Sequence, residues 1–164
     1  LIPQALLKFT AQERPQVWHQ VGKNNVDSSA QRYRDAGITL DENCRVVPFI
    51  ADMAAAYAWA DLVLCRAGAT TVSEVAAAGL PSILVPFPYA VDDHQTRNAQ
   101  WLSNAKAAVL IQQRDLSPTD LAGLWQQFQL DRSVLSKMAE NARALAHFNA
   151  NDLVATQCME ACKG

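Results

Sequence analysis

The sequence predicts an α/β domain, with a parallel sheet covered by helices on both faces. Three observations lead there. Short apolar runs alternate with segments of helical period along most of the chain. The runs are apolar nearly throughout, as strands buried on both faces must be. Glycine and proline punctuate them at Gly37, Gly68, Gly79-Leu80-Pro81 and Pro86.

The elements follow in order. Pro3 to Phe9 carries spaced apolar residues, the tail of a helix. Gln16 to Val21 is strand-like, and Gly22 to Asn25 is a turn. Asp27 to Ala36 is helical and ends at Gly37. Cys44 to Phe49 is a strand rich in β-branched residues, followed by an Ala-rich helix from Asp52 to Ala60. Asp61 to Cys65, Ser82 to Val85 and Ala107 to Ile111 are further strands; Thr71 to Ala78 and Asp93 to Asn104 are the helices between them. Ser117-Pro118 is an N-cap with proline at the first helical position, leading Leu121, Leu124, Trp125 and Phe128 at helical spacing. A second helix carries Val134, Met138, Ala142 and Leu145, and a third Val154, Cys158 and Ala161.

Composition narrows the function. The chain has 164 residues, the size of one domain, and is 50% apolar and 18% charged. A net charge of −2 gives no electrostatic case for nucleic acid or an anionic membrane. No apolar run approaches the roughly 20 residues of a membrane span, and no secretory signal opens the chain. Cys44, Cys65, Cys158 and Cys162 form no CxxC pair and are not grouped with histidines, which predicts reduced cysteines in a cytoplasmic protein and no metal site.

In open parallel sheets, ligands bind beyond the carboxyl ends of the strands. Polar residues collect at three such ends. At the first, Phe49-Ile50-Ala51-Asp52-Met53, Asp52 is expected to cap the next helix. At the second, Gly68 lets the backbone turn into a helix whose Val72, Val75, Ala76 and Gly79 face the sheet, leaving Thr70, Thr71 and Glu74 on another face. Free N–H groups there suit a diphosphate, and Glu74 could accept from ribose hydroxyls. Thr71-x-x-Glu74 also fits a capping box, which needs no ligand. Arg66 could reach a phosphate or pair with a carboxylate. At the third, Asp93 to Ala99, the inward side is set by Ala99, Trp101, Leu102 and Ala105. His94, Gln95 and Asn98 project onto that side at 100° per residue. Buried polar groups cost about 1–3 kcal/mol each when unpaired, so a hydroxyl-rich ligand would satisfy them. Alternatively, the first turn projects past the sheet into solvent, with Asp93 as its cap. Together the three ends suggest one cleft for a phosphorylated, hydroxylated ligand.

Four motifs, in order and in register, carry a family resemblance. They are Phe49-Ile50-x-Asp52-Met53-Ala54-Ala55-Ala56-Tyr57, Cys65-Arg66-Ala67-Gly68-Ala69-x-Thr71-Val72-Ser73-Glu74, Ala78-Gly79-Leu80-Pro81 and Asp93-His94-Gln95-Thr96-x-Asn98-Ala99. From about Trp18 onward the chain resembles the carboxy-terminal domain of the MurG family of glycosyltransferases. The resemblance implies a Rossmann-like domain, residues 1–164, that binds UDP-GlcNAc as one of two facing domains. Ile50 would meet the uracil edge through its backbone, and Glu74 the ribose hydroxyls. Ala69, Thr70 and Thr71 would lie at the phosphate and sugar, and His94, Gln95 and Asn98 would line the GlcNAc pocket. The family transfers GlcNAc to lipid I with inversion, forming lipid II for peptidoglycan, at the cytoplasmic face of the bacterial inner membrane. It uses no cofactor and no metal held by Asp-x-Asp, a motif not found here.

Family members also carry an amino-terminal acceptor domain, and a central strand with a glycine-rich phosphate loop just upstream of the point matching Leu1. The 164 residues are therefore expected to be a fragment, inactive alone, with no catalytic residue of its own. The general base, the lipid I site and the membrane contact would lie in the other domain. His94 sits on the donor side and is not that base; His19 and His147 are expected to be structural or solvated. Three other readings stay open. One is a UDP-GlcNAc 2-epimerase, for which Asp92 and Asp93 are the nearby carboxylates. Another is a non-catalytic donor-binding subunit of a split transferase. The last is a doubly wound domain with ordinary helix caps and no ligand.

Overall fold

The computed structural model describes residues 1–90, 93–146 and 158–159. Among the described residues all strand pairing is parallel, as the uninterrupted apolar runs require. The fold is Rossmann-like α/β. The chain divides into two compact units: residues 1–60 with 111–135, and residues 61–110 with 136–164.

The first unit opens with α1 (Ile2–Leu6), then β1 (Val17–Gln20), a 3₁₀ turn (Lys23–Asn25), α2 (Val26–Asp35), β2 (Cys44–Val47) and α3 (Met53–Trp59). Strands β1 and β2 pair in register from Val17 with Cys44 to Gln20 with Val47. One face of the pair packs on a core of Leu6, Tyr33, Ile38 and Cys44, joined by Val17, Val46 and Trp125. The other face carries Trp18, whose ring centroid lies 4.1 Å from the Arg45 guanidinium and 5.9 Å from Trp59, edge to face. The unit also includes α6 (Pro118–Leu130), which packs on α1. Ser117 caps α6 and Pro118 takes its first position, as expected; Asp120 completes a capping box.

In the second unit, β3 (Val63–Cys65), β4 (Ser82–Leu84) and β5 (Ala108–Leu110) form a sheet in that order. Helices α4 (Ala69–Ala78) and α5 (His94–Asn104) connect them. Val75, Ala76, Ile83, Leu84, Ala99 and Leu102 are fully buried and form the centre of this unit. Gly79 ends α4 at φ 66°, a left-handed conformation only glycine adopts without strain. A Cβ there would also lie 2.9 Å from Arg143 Nε, because Arg143 folds over the helix end and donates to the carbonyls of Ala77 and Ala78. Arg143 belongs to α7 (Arg132–Ala144), the second of the expected tail helices. Of the third, Val154 and Ala161 lie outside the described residues, as do Asp92, His147 and Cys162.

Up to the second tail helix, each strand and helix of the sequence reading appears, with ends moved by a few residues. One shift matters. Helix α4 begins at Ala69, with Gly68 as its N-cap, so Thr71 is already inside the helix. The Thr71-x-x-Glu74 capping box is thereby excluded. Trp101, expected inward, is 37% exposed. No helix among the described residues is long and apolar enough to cross a membrane.

His19, on β1, contacts the Tyr33 hydroxyl through Nδ1 at 3.1 Å. Burial, then the N-terminal ammonium, holds its pKa below the usual value, while burial raises that of Tyr33. The unfolded chain therefore takes up a proton on His19 more readily than the folded one. The resulting contribution to stability is present above about pH 6.5 and fades as the pH falls below it. Thermal unfolding between pH 7.5 and 5.5 is expected to show a falling midpoint, and His19→Gln should flatten that fall.

Candidate functional site

The strand ladder stops at each carboxyl tip, and the backbone groups beyond it need other partners. Side chains supply them. Beyond β2, Ile50 is buried and its N–H donates to Gln20 Oε1 at 2.8 Å. Gln20 is the last residue of β1, exposed and pointed past the tip of the pair. Sequence reasoning missed it; a polar residue closing an apolar strand was the available signal. Asp52 caps α3 as expected, accepting from the Ala55 N–H at 2.9 Å.

Beyond β3, Arg66 reaches the turn that follows β4. Its Nη1 donates to the carbonyls of Val85 and Pro86 at 3.2 and 3.0 Å, and its guanidinium lies 5.5 Å from the Phe87 ring centroid. Cys65 is a half-buried strand thiol whose pKa desolvation pushes up to about 12, and it is unsuited to nucleophilic chemistry. Cys44, Cys65 and Cys158 are all free thiols.

Gly68 has φ −64° and ψ 147°, an extended conformation open to any residue, and a Cβ there would meet nothing closer than 3.8 Å. Conformational freedom is therefore not why glycine stands there. As the N-cap of α4, Gly68 has no side chain to offer the helix start. The first N–H groups of this helix, at Ala69, Thr70 and Thr71, face outward from a terminus with positive dipole charge. Ala69, Thr70 and Glu74 are exposed, and Thr71 is half-buried.

Beyond β4, Phe87 N–H donates to Gln95 Oε1 at 2.9 Å. Asn98, one turn along α5, donates from Nδ2 to the carbonyl of Ala67 at 3.0 Å. These partners fix the orientation of both amides. An N–H must face an oxygen, and a carbonyl must face an NH₂. Gln95 is left to present Nε2, and Asn98 to present Oδ1. Both residues are half-buried, as their place on the inward side predicted. His94 is exposed, so the first turn of α5 projects outward at that residue. Asp93 occupies the N-cap position at φ 52°, yet its carboxylate accepts from Thr96 Oγ1 at 2.6 Å instead of a backbone N–H.

Helices α4 and α5 are neighbours, and Asn98 on α5 reaches the carbonyl of Ala67, two residues before α4 begins. Ile50 belongs to the other compact unit. Among the described residues, no group of His, Cys, Asp and Glu side chains could hold a metal ion.

Residues 1–156 match the model of the glycosyltransferase family 28 C-terminal domain. The chain is 53% identical over 161 residues to the UDP-N-acetylglucosamine--N-acetylmuramyl-(pentapeptide) pyrophosphoryl-undecaprenol N-acetylglucosamine transferase of Burkholderia lata. It is 51% identical over 164 residues to the transferase of the same name from Cellvibrio japonicus. The matches cover 98% and 100% of this chain but 43% and 44% of those relatives, so the chain spans less than half their length. The crystal structure of Acinetobacter baumannii MurG superposes with a TM-score of 0.83 at 42% identity, over 96% of this chain and 44% of that one. Glycosyltransferase VinC, at 19% identity and a TM-score of 0.59, shares the fold.

Gln20→Ala is expected to free the Ile50 amide from its partner without unfolding the unit. Hydrogen exchange at that amide should quicken by about tenfold; unchanged exchange would remove Gln20 from this tip.

Proposed function

The chain belongs to the glycosyltransferase family 28 C-terminal domain family, and from that premise we propose that residues 1–164 are the donor-binding part of an inverting transferase that moves GlcNAc from UDP-GlcNAc to lipid I. The observation that carries this reading is the start of α4, with glycine at its N-cap, beside the oriented amides of Gln95 and Asn98. A helix start offers N–H donors to a diphosphate, and the dipole adds roughly 0.3–1 kcal/mol. Fixed amides beside it suit the hydroxyls of a sugar attached to that diphosphate.

The roles follow from chemistry and position. Ala69, Thr70 and Thr71 meet the diphosphate and the adjoining sugar through backbone N–H groups. Glu74, one turn further along α4, accepts from the ribose hydroxyls. Asn98 Oδ1 accepts from a GlcNAc hydroxyl, and Gln95 Nε2 donates to another. His94, on the exposed first turn, lines the outer edge of the same pocket. Ile50 reads the uracil edge through its backbone. Its carbonyl can accept from the base, while its N–H is engaged by Gln20, so Gln20 must yield if the base is to use both groups.

In the reaction, a hydroxyl of the muramoyl sugar attacks C1 of GlcNAc. The bond from C1 to the diphosphate oxygen breaks, its electron pair leaves with UDP, and C1 inverts. Charge gathers on the leaving diphosphate, where preorganised N–H donors act most strongly. The acceptor proton is taken by a base outside these residues. The lipid I site and the contact with the cytoplasmic face of the inner membrane are likewise assigned to the amino-terminal part of the full protein.

Calorimetry on the intact protein tests this. Glu74→Ala should weaken UDP-GlcNAc binding by about tenfold or more; equal affinity for the variant and the parent would refute the ribose role. Asn98→Ala should cost UDP-GlcNAc more affinity than UDP alone, and equal losses would take Asn98 out of the sugar pocket.

A further inference from the structure

The donor site proposed above gives Arg66 no role, yet Arg66 joins the two turns that form it. The carbonyls of Val85 and Pro86 lie past the last residue of β4, where no strand neighbour accepts them into a ladder, and Arg66 Nη1 donates to both. The next peptide N–H, that of Phe87, donates to Gln95 Oε1. Asn98, on the same face of α5, returns to the carbonyl of Ala67, the residue after Arg66. The bonds therefore close a circuit: Arg66 to residues 85 and 86, Phe87 to Gln95, and Asn98 back to Ala67. In a closed circuit each link constrains the others, so loss of one lets the remaining groups shift.

We propose that Arg66 is a positioning residue for the sugar end of the donor site. It clamps the turn after β4, and so holds Gln95 and Asn98 in place relative to the start of α4. This inference rests on the donor-binding reading and deepens it. Arginine suits the task. One nitrogen, Nη1, donates to both carbonyls while the planar guanidinium lies 5.5 Å from the Phe87 ring centroid, and a lysine ammonium lacks the planar group that meets the ring. The clamp is made entirely of protein groups and is in place before any ligand arrives, so the sugar pocket is preorganised. Arg66 acts on the sugar through Gln95 and Asn98 rather than on the diphosphate.

The test compares UDP with UDP-GlcNAc on the intact protein, using Arg66→Ala and Arg66→Lys, with thermal unfolding as a check on folding. Affinity for UDP should stay within about twofold in both variants, while affinity for UDP-GlcNAc should fall about five- to tenfold. Lysine keeps the charge, so a direct phosphate contact predicts something else: UDP binding lost in Arg66→Ala and retained in Arg66→Lys. Equal losses for the two ligands, or no loss for either, overturn the proposal. If Arg66→Ala does not fold, Arg66→Lys carries the same comparison. Hydrogen exchange at the Phe87 amide, measured without ligand, separates failure of the clamp from failure of the donor reading. Should the parent protein bind neither nucleotide, the donor reading falls, and the role of Arg66 at a sugar site falls with it. Faster exchange in the variants would still establish the clamp itself, and unchanged exchange would overturn it.

Discussion

A parallel strand pair satisfies backbone groups only as far as its ladder runs. Just past the tips of β2, β3 and β4, amides and carbonyls must find other partners or remain unpaired at a cost of about 1–3 kcal/mol when buried. This constraint organises the molecule. Gln20 serves Ile50, Arg66 serves Val85 and Pro86, Gln95 serves Phe87, and Asn98 serves Ala67. Each of these side chains is long or branched enough to cross from its own element to a neighbouring turn. The polar residues that interrupt the apolar pattern are therefore structural ties as well as candidate ligand contacts.

The two uses are compatible because amides have two ends. Gln95 and Asn98 each spend one end on the backbone and present the other. A side chain so committed loses little further freedom when a hydroxyl arrives, and its donor or acceptor character is fixed in advance. The start of α4 complements them in a different way. With glycine at its N-cap, the residue that opens the helix has no side chain to offer its N–H groups. One helix start with glycine at its N-cap and a neighbouring helix carrying tied amides together suit a charged group joined to a hydroxylated one.

A capping box at Thr71 and Glu74 fits the sequence spacing, but the helix begins earlier, at Ala69, which places Thr71 beyond the cap position. Arg66 offers a phosphate contact by charge alone; the uncovered carbonyls at the tip of β4 and the Phe87 ring draw it elsewhere. Gly68 resembles a conformational requirement, yet its backbone angles are ordinary, whereas Gly79 does adopt the left-handed turn. Gln20 escaped notice because its importance lies in a partner thirty residues away in sequence, Ile50.

Periodicity and punctuation determined the order of strands and helices, the parallel α/β class and the buried stripe of Val72, Val75 and Ala76, because these follow from local repeat and from the need to bury apolar surface. The motifs around Ile50, Arg66, Gly79 and His94 also made the family legible in the sequence. Tertiary structure alone decided which polar atoms meet. Hydrogen bonds across turns depend on ångström-level placement of segments distant in the chain, and no local pattern encodes that Asn98 reaches Ala67 or that Arg66 reaches Pro86.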